Sequence, residues 1–144
     1  MQITKNFTLE ELTRSATATR KGIDNTPDEV VKKRLTTLCE VVLQPIRDKY
    51  GKSIVVGSGY RCKALNTAVK GASNSDHMYG CAADIHSASD SVADNKELFN
   101  LIKKMIDSKE IKVKQLIDEY NYNWIHVSYQ DGRSSKVNQI LHLK

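Results

Sequence analysis

The stretch NSDHMYGCAADIH, residues 74–86, holds two histidines and two aspartates within thirteen residues, among small ones. A third histidine, His126, lies in WIHVSY. A hydrolytic zinc takes three protein ligands from His, Asp or Glu and keeps a fourth position for water, which then becomes a nucleophile near neutral pH. His77 and Asp84 are seven apart, with Gly80 between them. A helix does not put that spacing on one face, but a loop that turns at Gly80 into a strand can bring the two together. In a strand over CAADIH, Ala82, Asp84 and His86 share one face. In WIHVSY, Trp124, His126 and Ser128 share a face, and the opposite face is more apolar. With the two strands adjacent, His77, Asp84 and His126 can surround one ion. The same residues also suit a polar loop with a strand behind it, its histidines being satisfied structural groups.

The elements that must position these residues read as follows. FTLEEL starts a helix, with Thr8 as cap, Glu11 completing a capping box and Phe7 stapling to Leu12. NTPDEVVKKRLTTLCEVVLQPIRDKYG is the longest helical signal. Thr26 is its expected cap, Pro27 its first residue and Glu29 the capping-box acid. Val31, Leu35, Leu38, Val42 and Ile46 face the core, Pro45 kinks or splits the helix, and Gly51 ends it. SIVVGSGY reads as a short buried strand entering a turn, CKALNTAVKG as a helix stopped by Gly71, and CAADIH as a strand. DNKELFNLIKKMIDSKE is an amphipathic helix. VKQLIDEY and WIHVSYQ form a hairpin across Asn-Tyr-Asn, and VNQILHLK is a last short strand. Helices come first and strands cluster later, so the expected class is α+β: helices on one face of a small, mainly antiparallel sheet, in one domain over residues 1–144.

Composition sets the bounds. The 144 residues are 40% hydrophobic and 27% charged, enough for one hydrophobic core without disulfides. No apolar run reaches the roughly 18 to 20 residues of a membrane span. The start, MQITKNFTLEEL, lacks an apolar signal-peptide core. The expectation is therefore a chain made in the cytoplasm. The formal charge of +5 suits an anionic partner. No Lys/Arg cluster or aromatic-basic interleaving points to nucleic acid. Cys39, Cys62 and Cys81 match no zinc-thiolate spacing and read as buried free thiols.

Beside this reading stands a resemblance. SGYRCKALNTAVKGASNSDHMYGCAADI with WIHVSY resembles the zinc D-alanyl-D-alanine carboxypeptidase family of peptidoglycan peptidases, which share their fold with the Hedgehog signalling domain. The elements S-G-Y-R, L-N-x-x-V-x-G, S-x-H-x-x-G-x-A-x-D and W-x-H-V-S follow in that order. NFTLEELTRSATATRKGIDNTP and LCEVVLQPIRDKYG resemble a phage and prophage-associated branch. The resemblance implies that His77, Asp84 and His126 ligate zinc and that Arg61 holds substrate, as a guanidinium fork grips a carboxylate or carbonyl oxygen. Ser75 and Asp76 flank the first ligand and either shape the loop or touch substrate. Trp124 lines the substrate groove.

The general base is the weakest transfer. In several branches the acid lies three residues before the last histidine, where this chain has Asn123. An amide cannot take a proton from water. Glu119 is the chosen base and Asp118 its rival. One hairpin register sets Glu119 opposite His126, and a slip of one sets Asp118 there. His86 carries a structural or outer-shell role, and His142 has no nameable partner. The resulting expectation is a monomeric zinc peptidase acting on peptidoglycan stem peptides, either a D-Ala-D-Ala carboxypeptidase or an endolysin-type endopeptidase, reaching the bacterial wall after release from the cell. The alternative is a non-catalytic zinc-containing wall-binding or phage structural module, and Asn123 is the residue that favours it.

Overall fold

A computed structural model describes residues 1–144. The chain opens with an antiparallel ribbon, β1 (Gln2–Thr4) and β2 (Phe7–Thr8), that runs directly into α1 (Leu9–Thr13). The expected capping box is present: the Thr8 hydroxyl accepts the Glu11 N–H at 3.2 Å, and the Glu11 carboxylate accepts the Thr8 N–H at 3.2 Å. Phe7 and Leu12 are both buried. A second helix, α2 (Ala16–Lys21), was not anticipated; Ser15 caps it and Gly22 closes it in the left-handed region.

The long helix, α3 (Glu29–Leu38), begins later than Thr26. The Thr26 hydroxyl and N–H both bond the Asp24 carboxylate, at 2.6 and 3.0 Å. That bonding forms a turn, and Asp28 supplies the cap by accepting the Val31 N–H at 2.8 Å. Pro45 does not split the helix. A wider π-type stretch, Cys39–Leu43, precedes α4 (Gln44–Tyr50), and the Gln44 N–H bonds the Cys39 carbonyl five residues back. The ladder thus changes register just before the residue that has no N–H to offer. Gly51 ends α4 at φ +72°.

Five strands follow: β3 (Ile54–Ser58), β4 (Ala82–Ser87), β5 (Gln115–Glu119), β6 (Trp124–Ser128) and β7 (Gln139–Leu143). Their spatial order is β3-β4-β6-β5-β7, antiparallel except for the parallel β5–β7 pair. Between them lie α5 (Lys63–Ala68), a 3₁₀ turn (Asp76–Tyr79) and α6 (Val92–Asp107). α5 stops before Gly71; Lys70 takes the left-handed conformation, at φ +59°. The class is α+β, as expected from the order of the elements.

Strand alternation gives the sheet two faces. Ile54, Val56, Ala83, Ile85, Leu116, Ile125 and Val127 join one hydrophobic core with Leu35, Leu38, Ile46, Leu98, Phe99 and Ile102 of the helices. Burying such side chains contributes about 1.5 to 3 kcal/mol each, so the register of β3, β4, β5 and β6 is strongly fixed. The opposite face therefore has to carry Asp84 and His86 of β4, Trp124 and His126 of β6, and Ile117 and Glu119 of β5.

Candidate metal centre

Asp84 and His126 are direct partners in the β4–β6 register. His77 reaches them from the 3₁₀ turn, which Gly80 closes at φ +78°, a conformation that leads the chain into β4. The Asp84 Oδ1 lies 3.3 Å from His77 Nε2 and 3.0 Å from His126 Nδ1. One ligand atom from each residue falls within 4.8 Å of the others. The two rings meet edge to face, with centroids 5.1 Å apart.

The surroundings fit a metal. His77 Nδ1 lies 2.7 Å from the Gly59 carbonyl, which can only accept. The proton therefore sits on Nδ1, and the Nε2 lone pair points inward, the usual arrangement of a ligating histidine. Burial works to raise the Asp84 carboxyl, but His77 and His126 outweigh it and hold the group well below the ordinary value. Two imidazole nitrogens and one ionised carboxylate are a donor set that suits zinc with a position left open.

Arg61 stands beside the cluster. Its N–H bonds the His77 carbonyl at 3.1 Å and its Nη2 donates to Ser75 Oγ at 3.4 Å. Its Nε is buried with no partner. Burial lowers the guanidinium from its ordinary value, against the carboxylates of Asp84 and Glu119. Ser75 also caps the metal-side turn, accepting the His77 N–H at 3.2 Å.

The β5–β6 register is neither of the two expected. Ile117 lies opposite His126, and Glu119 lies opposite Trp124. Glu119 still shares the face of His126 and reaches it diagonally: its Oε2 accepts the Trp124 indole N–H at 3.1 Å and lies 4.0 Å from His126 Nδ1. Asp118 points through the sheet to the other side, where it bonds His142 Nδ1 at 2.5 Å and accepts the Tyr122 N–H at 3.1 Å. His86 turns away from the cluster, with Nδ1 2.6 Å from the Ser87 carbonyl and 3.5 Å from Asp90. Asn123 lines a separate hollow with His86 and Asp90.

The profile of the peptidase M15 family matches residues 5–128. The chain belongs to this family. M15 peptidases are zinc-dependent metallopeptidases, so the cofactor inferred from the residues agrees with the family. Comparison with curated proteins gives no match.

Several residues that build this M15 site carried no clear signal in the sequence. Gly59 is one: its carbonyl orients His77, and any Cβ there would overlap the backbone of Leu12. Asn25 is another. Its side chain donates to the Thr13 and Tyr60 carbonyls and accepts the Cys62 N–H, tying the segment before α3 to the Arg61 loop. Asp76, next to the first histidine, accepts from Lys114 Nζ at 2.8 and 3.0 Å and from Arg133 Nη2 at 2.8 Å. Arg133 lies beyond the matched span, yet it grips the turn that carries His77.

Proposed function

We propose that this M15 peptidase hydrolyses the stem peptides of peptidoglycan. The observation that carries the proposal is the convergence of His77 Nε2, Asp84 Oδ1 and His126 Nδ1 on the wall of an open cleft of about 590 Å³, with the Glu119 carboxylate 4.0 Å from His126. His77, Asp84 and His126 would hold the zinc. When bound, zinc supplies Lewis acidity toward the scissile carbonyl and makes water acidic enough to attack near neutral pH.

Each other role falls to a residue of the chain. Glu119 takes the proton of the attacking water and returns it to the leaving amine, replacing the acid that Asn123 cannot provide. The Trp124 indole N–H holds the Glu119 carboxylate toward the cleft, and the Trp124 ring walls it. Arg61 lines the cleft and offers its guanidinium to a carboxylate or carbonyl oxygen of the peptide, and Ser75 steadies it. The bond cut is either terminal D-Ala-D-Ala or an internal stem bond. The protein acts as a monomer on the bacterial wall after release from the cytoplasm, as a phage or prophage lysis enzyme does, and the formal charge of +5 assists contact with anionic wall polymers.

Mass spectrometry of purified peptidoglycan fragments, incubated with the protein with and without a chelator, tests this reading. Chelator-sensitive loss of one alanine identifies a carboxypeptidase. Release of stem peptides or opened cross-links identifies an endopeptidase. No product from any wall type, from protein that binds zinc, refutes the proposal.

A further inference from the structure

We infer that Lys70 and Lys136 form an anion subsite at one end of the cleft, separate from Arg61, that selects peptides bearing a free carboxylate two or three residues from the scissile bond. The inference rests on the reading of this cleft as a peptide site.

β5 sets the axis. Lys114, Gln115, Ile117, Glu119 and Tyr120 all line the cleft, and Ile117 lies opposite His126, so the metal cluster sits at the middle. Toward Tyr120 the wall is aromatic, with the Tyr120 and Trp124 rings 5.0 Å apart. Toward Lys114 it is basic. Lys136 belongs to that end, because Asn138 bonds the Val113 carbonyl and Gln139 pairs with Gln115. Lys70 lines the same cleft from the loop that runs on to Asp76, which Lys114 holds.

The charges at this end are unequal. Of the three lysines that line the cleft, Lys114 pairs with Asp76, whereas Lys70 and Lys136 have no carboxylate within 4.0 Å. The cleft's own carboxylates are engaged elsewhere: Asp76 by Lys114 and Arg133, Asp84 by two histidines, Glu119 by Trp124. Two exposed lysines without a carboxylate partner are left on the cleft wall.

Their backbones are fixed. Buried Asn66 donates to the Ala72 carbonyl at 2.8 Å, and the Gly71 N–H bonds the Asn66 carbonyl at 2.8 Å. A Cβ on Gly71 would overlap the Asn66 side chain, so the glycine is needed for this close approach. Arg133 bonds Asp131 at 2.6 Å and Asp76 at 2.8 Å, and its guanidinium lies 3.9 Å from the centre of the Tyr79 ring. That anchors the turn that carries Lys136. Only the lysine side chains need ordering when an anion arrives, which limits the entropy lost on binding. Lys114 is three residues from Ile117, about 10 Å along a strand, and an extended peptide covers that distance in two or three residues.

The test uses two synthetic stem peptides that differ only in whether that carboxylate is free or amidated. Binding is followed by calorimetry and hydrolysis by kcat/KM, for the wild type, Lys70→Gln, Lys136→Gln and the double variant. The wild type should favour the free acid by about fivefold, each single variant should lower the ratio, and the double variant should bring it near one. High salt should shrink the preference. Equal binding of both peptides by the wild type, or an undiminished preference in the double variant, overturns the subsite. Preferential binding without hydrolysis supports the subsite and removes the peptidase reading. Hydrolysis without preference does the reverse.

Discussion

Two histidine–carboxylate clusters lie on opposite faces of the same sheet. His77, Asp84 and His126 occupy the open face, and His142 with Asp118 the helix-covered one. Their residue types are alike, but their valences are not. Asp118 accepts from both His142 and the Tyr122 N–H, so its hydrogen bonds close within the protein. On the open face, one Asp84 oxygen faces ring nitrogens of two histidines, and nearby Arg61 keeps a buried donor unpaired. The closed cluster ties the C-terminal strand to β5. The open one leaves converging ring and carboxylate lone pairs for something that is not protein. Convergence with unmet valence, rather than the presence of His and Asp, separates a site from a staple.

The strongest way to break this comparison is to remove a ring. His126→Ala should lose zinc, measured by metal analysis of the purified protein, and reduce hydrolysis to background. His142→Ala should keep both. A chelator should act on the wild type as His126→Ala does, and added zinc should restore it.

The next step uses neighbours in sequence that point in opposite directions. Glu119→Gln should lower kcat by about 10² to 10⁴, the usual worth of a general base. Asp118→Asn should leave kcat within about twofold but lower stability by about 1 to 3 kcal/mol, since one of the two buried acceptor oxygens becomes an NH2 that cannot accept. Steady-state kinetics and denaturant unfolding on the same two variants check this. Equal kinetic effects would mean that the two faces do not differ as described.

Strand alternation made most of this face legible. The period of two put Asp84 and His126 on polar faces, and the apolar positions between them fixed which side met the helices. The capping box at Thr8 and the stop at Gly51 were local chemistry and readable for that reason. Asp28 was misread because Thr26 and Asp28 both carry capping oxygens, and only the bonding of Thr26 to Asp24 decides between them. The hairpin register was not legible either. Tyr120, Asn121 and Tyr122 are all left-handed, in a four-residue loop between the paired Glu119 and Trp124 that sequence alone did not specify. Gly59, Asn25 and Arg133 act through contacts between distant segments, which no local pattern records.

The Arg133 network sharpens the comparison on the open face. Asp76 is buried and holds two cations, so Asp76→Asn should cost about 3 kcal/mol, as breaking buried ion pairs does. Asp131 gives the pH signature. Burial tends to raise its carboxyl, but the hydrogen bonds and charge of Arg133 outweigh that and hold it below its ordinary value of 3.8. A lowered folded-state value means stability that is present above the unfolded value and lost as pH falls through the folded one. The melting temperature of the wild type should therefore fall more steeply than that of Asp131→Asn below about pH 4.

The smallest effect separates the two fully buried thiols. Burial pushes the Cys39 thiol up to about 12 and Cys81 to about 11, and both side chains are fully enclosed. Cys62 is half-buried. A thiol reagent at pH 8 should label Cys62 first in the native protein and all three cysteines after denaturation, because the thiolate is the reactive form. The covers differ, however. Cys39 lies under the helical core, while Cys81 lies 3.5 Å from the Asp131 carboxylate that Arg133 holds in place. Arg133→Ala should therefore speed labelling of Cys81 and leave Cys39 as slow as before. Equal acceleration at both would mean that the network supports the whole fold rather than its own surroundings alone.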